Sequence, residues 1–267
     1  MDIQITLPAT AEKLFPIFIT SPCNHSGGAL LQRSVCQSEN AICYGDNLLD
    51  EISSLVDWAG GLVERHESQR ATEEKVLVAT LDKKPMTWMP ELAPPFDIYS
   101  ATLLSVVYNL PLTAQNFASE NGKDVWMISR ASIPATRLDA LISLFPKAKS
   151  IFIHRNPFDI IRDALRDSPK ADLREICTTW NSLMREYLEY SNENLLKIRY
   201  EDASEQTDNF INTIENYTGS KGILTETVST GDESETKSDY EISSDIRSLI
   251  EILCEDMLAV YYPNLKA

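Results

Sequence analysis

FPIFITSPCNHSGGALLQ, residues 15–32, reads as a strand, a tight loop and the first turn of a helix. The apolar run Phe15 to Ile19 has the length and composition of a strand covered on both faces, and Leu30 and Leu31 restart apolar content after the break. Between them lie Ser21, Pro22, Asn24, His25, Ser26, Gly27 and Gly28. Residues this small let the backbone reverse sharply with its N–H groups turned inward. The following helix adds its unpaired N–H groups and the positive end of its dipole. Such a turn is an anion cradle, most often for phosphate. A Gly-Gly turn also joins strand to helix in many α/β proteins that bind nothing there, so this stretch alone leaves both readings open. No Lys-Ser or Lys-Thr follows the glycines, and the dinucleotide fingerprint is absent.

Working outward, Ala29 to Ser38 predicts the first helix and Ala41 to Tyr44 a short strand ending at Gly45-Asp46. Leu48, Ile52, Leu55, Val56, Leu62 and Val63 recur at three-to-four spacing, which predicts a helix from about Asn47 towards Glu64. Arg65 to Gly122 carries Pro85, Pro90, Pro94, Pro95 and Pro111 among Met86, Trp88, Met89, Phe96 and Tyr99, and the prolines break any regular period. Residues 65–122 are read as a cap or acceptor-site segment, with most of their apolar side chains in the core.

From Asp124 the α/β rhythm returns, with Val125 to Ser129 as a strand, Ala135 to Phe145 as a helix, Ser150 to His154 as a buried strand and Asn156 to Asp167 as a helix. Leu173, Ile176, Cys177, Trp180, Leu183, Met184 and Tyr187 give Asp172 to Tyr190 helical spacing and make Trp180 a core residue. Asn194 to Tyr200 follows as a strand. Thr225 to Tyr240, polar and acidic, is expected to be a mobile loop, and Ser243 to about Val260 an amphipathic last helix. The alternation predicts an α/β fold, a single domain over residues 1–267 with a central parallel sheet flanked by helices.

The 267 residues carry a net charge of −16, which argues against general affinity for nucleic acid or an anionic membrane. Any polyanion site must therefore be local. Cys23, Cys36, Cys43, Cys177 and Cys254 are scattered with no paired spacing, pointing to reduced thiols over disulfides or a metal site. No stretch has the length of a transmembrane helix and the N-terminus lacks a basic, then apolar, leader, so the expected location is cytoplasmic.

A second informative stretch is FPKAKSIFIHRNPFDIIRDALR, Phe145 to Arg166. In open parallel sheets ligands bind beyond the carboxyl ends of the strands, and Arg155 ends one such strand, in the same layer as the Ser21 to Gly28 loop. A guanidinium there can hold a phosphate with paired hydrogen bonds. The competing reading is an Arg paired with Asp159 or Asp163 on its own helix.

In combination these stretches resemble the sulfotransferase family that uses 3′-phosphoadenosine 5′-phosphosulfate (PAPS). TSPCNHSGGALLQR is similar to the family's strand-loop-helix; ISRASIP and LFPKAKSIFIHRNPFDII match its Lys-Thr-His-Leu-Pro type and Arg-Asn-Pro-x-Asp stretches; ENLLKIRYEDAS is similar to its later strand. The similarity covers about Phe15 to Gly45 and Trp126 to Asp202. It implies a P-loop-like sulfotransferase architecture and in-line transfer of a sulfuryl group from PAPS to a hydroxyl or amine of a small-molecule or peptide acceptor. The nucleotide product would be 3′,5′-adenosine bisphosphate (PAP), no metal would be needed, and a homodimer is compatible with it.

The resemblance also implies site residues. His25, Ser26, Gly27, Gly28, Ala29 and Leu30 would hold the 5′-phosphosulfate, Arg155 the 3′-phosphate, and Tyr200 would lie by the adenine. Arg130 matches a cationic position suited to stabilising the transferring group. His25 replaces a fixed cation, Gly28 and Ala29 replace hydroxyl residues, and Ser132 stands where cytosolic members carry a base. Asp163 replaces a Ser of the 3′-phosphate site, where a carboxylate repels phosphate unless a cation such as Arg162 or Arg166 pairs with it. Asp46 is the candidate base, or else a cap of the helix starting near Asn47, and His25 the alternate acid or base. His154 is read as structural and His66 as solvated. Two other readings are a binding or regulatory protein on the same fold and a kinase-like phosphotransferase, which magnesium dependence would separate from sulfuryl transfer.

Overall fold

A computed structural model describes residues 9–224 and 241–263; the expected acidic loop, residues 225–240, lies outside them. Strand β1 (Ile17–Ser21) is buried along its whole length. It starts after Pro16, whose missing N–H cannot join the ladder, so Phe15 falls outside the strand and is 41% exposed. Helix α1 (Gly28–Cys36) and strand β2 (Ala41–Tyr44) follow.

Helix α2 (Asp46–Leu81) and helix α3 (Phe96–Glu120) form a long hairpin where the prolines predict irregular chain. Four of those prolines, Pro85, Pro90, Pro94 and Pro95, fall in the connection, so they end helices and interrupt none. The expected end at Glu64 is early because polar residues occupy the inner stripe of α2: buried Glu73 accepts from His66 Nδ1 at 2.8 Å, and Tyr99 of α3 lies against the imidazole at 4.1 Å. His66 is thus packed and not solvated. Pro111 sits inside α3, where buried Leu104, Tyr108, Ala114 and Ala118 hold the helix despite one lost backbone bond. Val76, Leu103 and Val107 are core, as expected, but Leu81, Trp88 and Ile98 are exposed.

The chain continues through β3 (Val125–Ala131), α4 (Ala135–Leu144), β4 (Lys149–His154), α5 (Pro157–Asp167), α6 (Leu173–Glu189) and β5 (Leu195–Arg199). Asn156 and Asp172 cap α5 and α6 through their side chains, on Asp159 N–H and Glu175 N–H. Helices α7 (Asp202–Glu205) and α8 (Thr207–Thr218) follow β5, and α9 (Ser244–Tyr261) completes the described chain, its Ser243 accepting from Ile246 N–H.

Among the described residues the five strands form one parallel sheet in the order β2-β3-β1-β4-β5. Alternation along β1 sends Phe18 to one face, with Trp126, Phe152, Trp180 and Tyr187, and Ile17 and Ile19 to the other, with Leu31, Met127, Ile151 and Phe210. Trp180 is fully buried and donates its indole N–H to the Arg155 carbonyl at 3.0 Å. The register places β1 between β3 and β4, so the loop leaving β1 emerges between the carboxyl ends of its two neighbours. Among the described residues no helix is long and apolar enough to cross a membrane.

Candidate functional site

The 22–27 turn is tied down by its carbonyls. Pro22 accepts from the Ser132 hydroxyl at 3.1 Å, Cys23 from the Ser21 hydroxyl at 3.1 Å, and His25 from Arg155 Nη1 at 3.1 Å. Helix α1 begins at Gly28, with Leu31 N–H making its first bond to the Gly27 carbonyl at 3.0 Å. The N–H groups of Gly28, Ala29 and Leu30 therefore precede the helical ladder, at the positive end of the dipole. Gly27 holds φ at +105°, and a Cβ there would lie 2.5 Å from Tyr200 Cδ2 and 2.9 Å from Ile153 Cδ1. Only glycine fits. His25 at φ 64° and Ser132 at φ 59° are non-glycine residues in the left-handed region, and both stand at this rim.

Two cavities of about 340 Å³ flank the turn. The first lies over the ends of β1 and β3 and is lined by Ser21, Cys23, Asn24, His25, Gly28, Ala29, Gln32, Asp46, Ser129 and Ala131. It brings His25, Gly28 and Ala29 onto one lining with Asp46. Helix α2 starts at Asp46 itself with Gly45 as its cap, and the carboxylate makes no capping bond. It lies 3.4 Å from Arg130 Nη1, while Arg130 Nε donates to Asp50 at 3.0 Å. Arg130 is therefore engaged by two carboxylates at the edge of the cavity. The second cavity opens towards α5 and α6, with Cys23, Asn24, His25, Ser132, Asp167 and Glu175 on its wall. No residue of 65–122 lines either cavity: α2 carries Arg65 roughly 28 Å along its axis from Asp46 at 1.5 Å per residue.

Neither Ser26 nor Leu30 lines either cavity. The Ser26 hydroxyl is buried at 3.5 Å from the Cys23 sulfur, and the Leu30 side chain packs into the core. Arg155, Asp163 and Tyr200 form a separate group on the other side of the His25 carbonyl. Arg155 lies over the Tyr200 ring at 4.3 Å, and its Nη1 donates to Asp163 Oδ2 at 2.5 Å. Asp163 Oδ1 is also 3.5 Å from Arg166 Nη1, whereas Arg162 pairs with Asp159. The pairing of Arg155 with its own helix, a competing reading from sequence, is thus present, yet the guanidinium still reaches the turn.

Burial pushes the Cys23 thiol up to about 11, so this loop cysteine is a thiol and not a nucleophilic thiolate at neutral pH. His154 is buried and bonded to the Tyr262 hydroxyl at 2.8 Å, as expected of a structural histidine. Sequence reading misses Ser129 and Gln32 as lining residues. Ser129 is brought beside Gly28, 3.6 Å from where its Cβ would stand, by the pairing of β3 with β1, which no local pattern encodes.

A parallel sheet with an N–H-rich turn between its strand ends defines an α/β protein. The chain belongs to the sulfotransferase family, whose sequence model matches residues 16–221. No curated protein matches the sequence. Among solved structures, the sulfotransferase domain of the Synechococcus PCC 7002 olefin synthase has a TM-score of 0.51 at 14% identity, covering 98% of this chain and 100% of that one. Mouse sulfotransferase SULT7A1, complexed with PAP, gives 0.48 at 13% identity and covers 99% and 91% of the two chains. Sulfotransferase STF9 from Mycobacterium avium gives 0.47 at 12% identity, covering 93% and 77%. The α/β sheet architecture is accordingly that of a sulfotransferase fold.

Proposed function

We propose that this chain transfers a sulfuryl group from an adenosine 5′-phosphosulfate donor, of which PAPS is the one its family resemblance implies, to a hydroxyl or amine of a small-molecule or peptide acceptor. The observation that carries the reading is the cavity that brings the first turn of α1, His25 and Asp46 onto one wall. The N–H groups of residues 28–30 would hold the leaving phosphate as its oxygen takes up the electron pair of the broken S–O bond. Asp46 would accept the acceptor's proton as the new bond to sulfur forms, and Arg130 would hold that carboxylate in place. His25, partly exposed and 3.9 Å from Asp167, could donate a proton to the leaving phosphate.

The test is incubation with the donor and a panel of hydroxyl and amine acceptors, read by mass spectrometry for a sulfated product. Asp46→Asn is expected to lower turnover by about 10²-fold or more while nucleotide affinity is kept. Unchanged turnover removes Asp46 from the chemistry. A second reading, a binding or regulatory protein on this fold, is favoured by one observation: Arg130 and Arg155, the guanidiniums beside the turn named for transfer and phosphate binding, are both already paired with carboxylates. Sulfated product with any acceptor excludes it.

A further inference from the structure

Asp163 stands where the family resemblance puts a Ser of the 3′-phosphate site. Its carboxylate sits 2.5 Å from Arg155 Nη1, and both side chains are only 16% exposed, so the pair is shielded from water. The same nitrogen serves the His25 carbonyl, Tyr200 covers the guanidinium face, and Nε is buried without a partner. Among the described residues the nearby cations face carboxylates, and His25 lies 3.9 Å from Asp167. Arg155 faces Asp163, Arg162 faces Asp159, and Arg166 faces both Asp163 and Asp167. A phosphate monoester carrying about −1.5 to −2 charges would meet a carboxylate at contact distance. A hydroxyl meets no such penalty, because an ionised carboxylate accepts hydrogen bonds.

We infer that Asp163 supplies, from the protein itself, the negative charge that a ribose 3′-phosphate would bring to Arg155, so that this site selects adenosine nucleotides with a free 3′-hydroxyl. The inference rests on the nucleotide reading of the cradle given above and names the donor class within it: adenosine 5′-phosphosulfate in place of its 3′-phosphorylated form. Asp163 is then a specificity residue. It fixes Arg155 against the turn and keeps the second phosphate out.

Calorimetric titration of the full chain with adenosine 5′-monophosphate and with adenosine 3′,5′-bisphosphate tests this without any variant. The monophosphate is expected to bind at least as tightly as the bisphosphate. Asp163→Ser, and Asp163→Asn as the variant closest in shape, are expected to tighten the bisphosphate by about tenfold or more while shifting the monophosphate by less than about threefold, with thermal melting to confirm the fold. Tighter binding of the bisphosphate to the wild-type chain overturns the inference and leaves the nucleotide reading standing. So does a folded variant with neither affinity changed. If neither nucleotide binds wild type or variant at millimolar concentration, the nucleotide reading itself falls and takes this inference with it.

Discussion

Gly27 is the residue on which the turn depends, because it carries a backbone angle and a close approach that no other residue meets together. Gly27→Ala places a methyl against the Tyr200 ring and Ile153 at a φ of +105°, and is expected to cost about 1–3 kcal/mol, read as a lower urea midpoint. Gly28→Ala is the control. Its Cβ would lie 3.6 Å from the Ser129 hydroxyl at an ordinary φ, so the same measurement should move by about 0.5 kcal/mol or less. Equal losses at the two positions would mean that the turn is not held by Tyr200. The glycines stand out in the sequence because their spacing after an apolar run is a local signal. The engagement of Arg130 by Asp46 and Asp50 does not, since those residues are far apart along the chain.

At the level of elements, the α2–α3 hairpin is where sequence pattern and structure part. Its outer half is held by a small cluster of Ala59, Val63, Leu103 and Val107, separate from the two cores around the sheet. Leu103→Ala is expected to cost about 2–3 kcal/mol locally, the low end for a buried leucine because much of what packs around this cluster is only partly buried. Hydrogen exchange should then lose protection around residues 59–63 and 103–107 before the strands do. Loss of protection in β1 and β4 at the same rate would instead make the hairpin part of one cooperative unit with the sheet. The strands themselves were readable to within two residues, because buried parallel strands are short continuous apolar runs. The hairpin was not, because a His–Glu pair on the inner stripe and prolines in the connection both imitate irregular chain.

For the molecule as a whole, His154 couples the sheet to the end of α9 and makes stability depend on pH. Burial, reinforced by Arg199 and Lys197, pushes the imidazole down to about 3 from its usual 6.5. Between those values the unfolded chain binds a proton that the folded chain does not, so stability falls as pH drops below 6.5. The slope from this one group is about 1.4 kcal/mol per pH unit. His154→Gln should lose stability at neutral pH through its bond to Tyr262, and the gap between it and wild type should narrow by about 1.6 kcal/mol from pH 6.5 to pH 5. Urea unfolding at the two pH values measures this, and a constant gap would show that His154 titrates normally.

Local order along the chain determined the α/β alternation, the glycine turn and the placing of Arg155 at a strand end, since each rests on neighbours a few residues apart and on burial alone. Tertiary structure decided how those pieces combine. It set Ser129 against the turn through strand pairing, carried the far end of α2 away from the cradle, and set Arg130 between Asp46 and Asp50. Such choices depend on which distant surfaces exclude water together and which charges are left facing one another, and neither is written in the spacing of residues.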